Sequence, residues 1–282
     1  MRTYFYLPLV FIALLVICLM FAPVRRVTGD HELVGRPSYD PPPAQAAPVQ
    51  KSFADLCRDD PVEAVATSMR RYRATVERYT CTLHLHERVR GKLREPETVE
   101  CEFRDSPFAV RMHWVAGKSP AETLLYAAGF NDDMFLVVPS SDALKQTLKL
   151  LGKTYARRRL DSPDATSASR FAPNEFGIYR ATARVYDAWR AAQERGALRT
   201  EYLGLRPIPE LGDKPCHVLR RTCLTPEEEG LTQVTIRFDP ETLLQVGAVL
   251  MTGDELIGHY HFGNLKLNPT FDKDQFAAER LK

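Results

Sequence analysis

A chain of 282 residues with 44% hydrophobic content has room for one large domain or two small ones. Its formal net charge of +2, with no domain-sized stretch strongly basic, argues against a nucleic-acid binder. No internal repeat, metal-type cysteine spacing, Gly-x-Ser-x-Gly, Walker loop or His-Glu-x-x-His occurs, so the common hydrolase and nucleotide-binding signatures are absent.

Residues 4–23, YFYLPLVFIALLVICLMFAP, are almost uncharged and long enough to cross a bilayer as a helix. Residues 1–27 therefore read as a secretory signal or an N-terminal membrane anchor. Arg2 precedes the run and Arg25 and Arg26 follow it, a poor positive-inside pattern for an anchor whose domain faces outward. The cysteines and the proline-rich stretch beyond favour export all the same. Leu15-Val16-Ile17-Cys18 has the outline of a lipidation box, but Ile17 is bulky for the position before the cysteine. Residues 28–55, with Pro41-Pro42-Pro43 and an Ala/Pro/Gln run, read as an extended linker of about 3 Å per residue, ahead of a folded part over 56–282.

The first predicted element of that part is a helix. Asp60 suits its N-cap, Pro61 its first turn, and Glu63 a capping box. Val62, Val65, Met69, Tyr72 and Val76 form its apolar stripe, while Arg70, Arg71, Arg73 and Arg78 read as a solvated face.

A three-strand antiparallel meander follows over Tyr79–Val115. Tyr79, Cys81, Leu83 and Leu85 alternate with Thr80, Thr82, His84 and His86, which sends the two sets to opposite faces. Val99, Cys101 and Phe103 repeat the pattern, as do Phe108, Val110, Met112 and Trp114 against Arg111 and His113. A three-residue loop Arg90-Gly91-Lys92 places Val89 opposite Leu93, and hence Leu83 opposite Val99, Cys81 opposite Cys101 and Tyr79 opposite Phe103. Asp105-Ser106-Pro107 makes the second turn.

Glu122–Tyr126 and Met134–Val138 flank a turn at 129–133 and predict a further hairpin. Leu148-Lys149-Leu150-Leu151 reads as a continuing strand and 161–169 as a polar loop. A second helix is predicted from Asn174 to Arg195, with Ile178, Val185, Trp189 and Ala192 on one side and Gly196 as its stop. Strands return at Thr200–Leu205, Cys216–Cys223, Leu231–Phe238, Leu243–Met251 and Leu256–Leu267. The total is ten to eleven antiparallel strands with one apolar face, which the helices must cover. The expected class is α+β, a curved half-barrel with helices over its concave apolar face.

Gly258–Pro269, with Asp272 and Phe276, resembles the last strand and tail of the LolA-like outer-membrane lipoprotein carriers and sorting proteins. The meander is more similar still to a related uncharacterised bacterial family. The matching features are the Glu87–Leu93 hairpin, Pro107–Val110, Asn131-Asp132, Leu160-Asp161-Ser162-Pro163 and Glu175-Phe176-Gly177, over roughly 56–280. The resemblance implies a half-barrel that holds acyl chains, without catalysis and without a cofactor, in an exported protein of the bacterial envelope, periplasmic or anchored in the inner membrane. Its partner would be a lipid or a lipidated protein, with the membrane itself reached through the N-terminal segment. The expected apolar lining is Leu83, Leu85, Val99, Phe103, Val110, Met112, Trp114, Phe135, Val137, Val234, Ile236 and Phe238. Each of these equally suits a dry core against the helices.

Two other readings stand beside this one. His84/His86 and His259/His261 are His-x-His pairs, with Glu100, Glu102 and His113 as neighbours, and imidazoles at that spacing can ligate zinc in an enzyme. Nothing in the sequence makes the two strands adjacent, so no metal site is expected and the histidines are taken as solvated surface. The third reading is a structural envelope protein that binds another protein. Cys81 and Cys101, opposite in the predicted register, suit either a cross-strand disulfide or two small buried hydrophobes. Cys216 and Cys223, seven apart, should face opposite sides and not pair.

Overall fold

The computed structural model describes residues 51–281, so the signal or anchor reading of 1–27 and the linker up to residue 50 lie outside the described residues. Among the described residues no helix is long and apolar enough to cross a membrane. Helix α1, Phe53–Asp59, opens on Ser52, whose hydroxyl accepts the Asp55 N–H. Helix α2, Pro61–Thr75, follows at once, and the Asp60 carboxylate accepts the Glu63 N–H at 3.1 Å as its N-cap. Only half of the predicted capping box forms, because the Asp60 N–H is already bonded to the Leu56 carbonyl of α1 and the Glu63 carboxylate pairs with Arg70 instead. The predicted stripe Val62, Val65, Met69, Tyr72 and Val76 is buried.

The strands are β1 (Arg78–Val89), β2 (Lys92–Leu93), β3 (Glu97–Arg104), β4 (Ala109–Ala116), β5 (Ala121–Ala127), β6 (Phe135–Pro139), β7 (Ala156–Arg158), β8 (Thr200–Ile208), β9 (Lys214–Thr222), β10 (Gln233–Phe238), β11 (Gln245–Thr252) and β12 (Glu255–Leu267). They form one antiparallel sheet in the order β7-β6-β5-β4-β3-β1-β12-β11-β10-β9-β8, with the short β2 paired to β1. Two chain-order meanders are thus joined by a single long-range pairing, β1 with β12, and the sheet stays open with β7 and β8 as its edges. The class is α+β. The strand total exceeds the expected ten to eleven because β2 and β7 are too short to show a period in sequence.

The predicted meander register is the observed one: Leu83 pairs with Val99, Cys81 with Cys101 and Tyr79 with Phe103. Its tip differs. Val89 pairs with Lys92 rather than Leu93, because Arg90 and Gly91, both at positive φ, close a two-residue turn. Arg94 N–H still bonds to the Glu87 carbonyl in that tip register, and a one-residue slip around Pro96 restores the predicted one from Glu97 onward. Cys81 and Cys101 face each other as free buried thiols, and burial pushes the Cys101 thiol well above its ordinary pKa, the behaviour of a small hydrophobe.

The stretch 140–172 departs from expectation. Residues 148–150 end helix α3, Asp142–Leu150, rather than extending a strand. Leu144 and Leu148 stand four apart, a helical spacing that buries Leu148 and leaves Leu150 out in solvent. The polar loop over 161–169 contains helix α4, Pro163–Ala168, which has proline in its first turn. Helix α5, Ile178–Glu194, matches the second predicted helix, with Gly196 at φ +66° after it. The predicted start at Asn174 is a separate single turn, Pro173–Glu175, because Gly177 at φ +125° breaks the chain's path before α5.

Strand β1 and helix α5 are tied together. The buried Tyr79 hydroxyl accepts the Ile178 N–H at 3.2 Å, satisfying one of the free donors at the start of α5. At the far end of the chain Asn268 accepts the Glu77 N–H at 2.9 Å and donates to the Thr75 carbonyl at 2.7 Å, fastening the end of β12 to the α2–β1 junction.

One local site gives the fold an acid-side sensitivity. Asp239, buried in the turn after β10, accepts from the N–H groups of Glu241 and Thr242 and pairs with Lys214. Burial pushes its carboxyl up, but the Lys214 ammonium and the Thr242 bonds outweigh that and hold it below the ordinary 3.8. A carboxylate depressed in the folded state stabilises the fold above its unfolded pKa, and that contribution is lost as pH falls below about 3.8. Denaturant midpoints of Asp239→Asn should therefore lie below those of the unmodified chain at pH 7 and converge with them as the pH is lowered through this range. A gap of constant size down to pH 2 would contradict this assignment.

Candidate functional site

The apolar face of the sheet carries two core clusters. In the first, Leu83, Val99, Phe103, Val110 and Phe135 pack with Tyr72 of α2, Val76 just after it and Ile178 of α5. In the second, Val234, Ile236 and Phe238 pack with Cys57 of α1, Val62 and Val65 of α2 and Trp189 of α5. These eight of the twelve expected lining residues are buried against helices or among themselves. The other four, Leu85, Met112, Trp114 and Val137, lie on the same face and are only half-buried, at the edge of the first cluster.

Register explains why these four belong together. Leu85 pairs with Glu97, Val99 with Trp114, Met112 with Leu124, and Leu124 with Val137, so they share one face over five consecutive strands of the sheet. Leu160, Ala165 and Phe176, from the segment between β7 and α5, pack against the same cluster. Arg94 donates to the Ala168 carbonyl and so holds that segment to the β2–β3 connection.

Polar groups rim this end of the face. Glu97 is buried, accepts the Trp114 indole N–H at 2.6 Å and pairs with Arg94 at 3.1 Å. Burial pushes its carboxyl up, against the opposing pull of Trp114 and Arg94. Glu87, two residues beyond Leu85 on the same face, is buried and accepts the Tyr260 hydroxyl at 2.9 Å. Tyr260 in turn accepts from Arg170 at 3.3 Å, and Arg170 pairs with Glu229. None of Glu87, Glu97, Arg94, Arg170 and Tyr260 is among the residues expected for a site from sequence. The signal for Glu87 and Glu97 was present: at period two both fall on the apolar face, where a carboxylate requires partners.

The opposite face holds the histidines. The pairing of β1 with β12 sets His84 directly across from His261 and His86 across from His259. The adjacency that the sequence left open is thus real, and the four rings share one face. They are also not uniformly solvated: His261 is fully buried and His259 half-buried. The turn between β8 and β9, Pro209–Leu211, folds over this face and brings Glu210 Oε1 to 3.3 Å from His259 Nε2. The His259 and His261 rings stand edge to face with centroids 4.4 Å apart. Arg237, on β10, contacts His261 Nε2. Of the acids and histidines that neighbour these pairs in the predicted sheet, Glu102 is engaged by Arg111 and Gln275, and His113 by Thr123.

Among solved structures the chain resembles Mycobacterium tuberculosis lipoprotein LppX at 10% identity, covering 76% of this chain and 99% of that one with a TM-score of 0.43. It resembles a LolA superfamily protein from Nitrosomonas europaea at 9% identity, covering 77% and 98% with a TM-score of 0.33. A DUF1329 family protein from Desulfovibrio piger is 9% identical over 82% of this chain and all of its own, with a TM-score of 0.38. Likenesses this distant decide nothing about ligand or activity. No curated protein matches the chain. The model of a family described as "Protein of unknown function (DUF1571)" matches residues 76–280, which agrees with the resemblance of the meander to an uncharacterised bacterial family. The chain is accordingly a member of the DUF1571 family.

Proposed function

We propose that this is a non-catalytic, exported envelope protein that holds an acyl chain, of a lipid or of a lipidated protein, at the half-covered end of its apolar sheet face. The observation that carries this reading is the incomplete burial of Leu85, Met112, Trp114 and Val137 on a face otherwise packed against helices. The twelve residues expected as lining then divide by role. Leu83, Val99, Phe103, Val110, Phe135, Val234, Ile236 and Phe238 form the floor and core, and the four half-buried ones touch the ligand.

An apolar patch suffices energetically for such a ligand. Each methylene withdrawn from water contributes about 0.8 kcal/mol, so covering even eight carbons supplies roughly 6 kcal/mol with no polar contact. The rim of Glu87, Glu97, Arg94, Arg170 and Tyr260 lies beside the patch, where a polar headgroup would emerge. Export, and delivery at the inner membrane through residues 1–27, belong to the same reading and rest on the apolar run of 4–23.

Native mass spectrometry of the full chain, purified gently from its own host's envelope, tests this. Lipid adducts on the folded protein are expected, and repeated spectra of the bare chain mass would overturn the proposal. Met112→Asp is expected to remove the adducts while leaving the melting temperature within a few degrees of the unmodified chain, since Met112 is half-buried and a carboxylate there stays hydrated. Retention of lipid by the folded variant would move the ligand away from this patch.

A further inference from the structure

We propose that Glu210, His259 and His261 form a transition-metal site, suited to zinc, on the face of the sheet opposite the apolar patch. Two imidazoles and one carboxylate are a donor set that zinc takes when a fourth position is left open. The ligand atoms of the three residues already lie within 4.8 Å of one another. One ion about 2.1 Å from each, in tetrahedral geometry, would draw them to about 3.4 Å, a movement within the reach of side-chain rotation.

Three further observations point to a ligand. Glu210 Oε2 and His259 Nε2 are buried and make no hydrogen bond, and such atoms ordinarily find a partner. The 3.3 Å approach of His259 Nε2 to Glu210 Oε1 lacks hydrogen-bond alignment, so it does not satisfy either group. The backbone is also cut away for the ring of His261: a Cβ at Gly247 would stand 2.5 Å from its Cδ2 and 2.8 Å from its Nε2. Burial holds both imidazoles in the neutral form that binds metals, lowering His261 to about 2 and His259 below its ordinary value. The register adds His86, directly across from His259, as a neighbour for the open position.

One group opposes a cation. Arg237 donates to His261 Nε2, which puts the neutral ring's proton on Nδ1 and leaves Nε2 as the lone pair a metal would take. Metal and guanidinium therefore compete for one atom, and the metal binds by displacing Arg237. This competition makes the assignment testable in both directions.

The full chain, purified in mild detergent and stripped with a chelator, would be titrated with Zn²⁺ by calorimetry, beside Glu210→Gln, His259→Asn and Arg237→Gln, with thermal melts confirming that each variant folds. The unmodified chain is expected to bind one equivalent and to melt at a higher temperature with Zn²⁺ than without. Loss of groups that merely support ligands costs 10–100-fold in affinity, so losing Glu210 or His259 should weaken binding at least about tenfold. Arg237→Gln should bind more tightly. Failure to bind one equivalent, unchanged affinity in the Glu210 and His259 variants, or Arg237→Gln binding no tighter than the unmodified chain would each overturn the site. Should His259→Asn fail to fold, Glu210→Gln decides alone, since that side chain is 34% exposed and its loss leaves the core intact. Lipid retention at Met112, on the other face, is independent of every one of these outcomes.

Discussion

Val110→Asp is expected to unfold the domain. Val110 is completely buried on β4, pairs with Phe103 of β3 and Tyr126 of β5, and belongs to the cluster closed by α2 and α5. An aspartate there is set among apolar side chains, so it either stays ionised at a cost of several kcal/mol or becomes protonated and still buries a poorly satisfied carboxyl. The cavity and strain left by replacing valine add to that. Against a total stability of about 5–15 kcal/mol for a typical domain, the sum is enough to depopulate the folded state. Circular dichroism should show loss of the cooperative transition. A folded Val110→Asp with an unfolding midpoint near that of the unmodified chain would mean that the helices do not seal this face, and would extend the ligand patch beneath them. The contrast with Met112→Asp, two residues along the same strand and on the same face, measures where core ends and patch begins.

Trp189→Ala should lower stability by about 3–5 kcal/mol without changing the fold. Trp189 is fully buried on α5 and meets Leu219, Val234, Ile236 and Phe238 of the second meander, together with Cys57 of α1 and Val62 and Val65 of α2. It is the largest side chain joining the helices to β9 and β10, and no neighbour of comparable size can fill the space it leaves. For a domain of this length the loss corresponds to a melting temperature roughly 6–20 °C lower. A shift of less than about 3 °C in a calorimetric scan would show that the second cluster relaxes around the cavity, contrary to a rigid dry core.

Much of the site's frame was legible in the residues. Period two assigned Leu83, Leu85, Val99, Phe103, Val110, Met112 and Trp114 to one face, and their observed placement follows it. Asp60 and Pro61 announced α2, and Gly196 the end of α5, because caps and stops are written in the few residues that make them. Local sequence was not enough where the signal was short or shared. Leu148-Lys149-Leu150-Leu151 has the apolar density of a strand, and only the burial of Leu148 with Leu150 left outside distinguishes the helix. The hairpin tip slipped by one because a loop of two residues and one of three both place glycine at positive φ, and the compensating break lies at Pro96, outside the turn.

What the amino-acid sequence determined by itself was therefore local: which residues alternate, where helices begin and stop, and that one sheet face is apolar. These follow from spacing along the chain and need no partner to be stated. Tertiary structure alone decided the pairing of β1 with β12, residues nearly the whole domain apart, which sets His84 and His86 beside His261 and His259 and carries Glu210 over them on the β8–β9 turn. It also decided which part of the apolar face α1, α2 and α5 cover and which part, around Met112 and Trp114, they leave half-open. The reason is the same in both cases. Alternation fixes the face on which a side chain stands, but the neighbour across that face comes from strand order and helix placement, which depend on the burial of the whole core at once.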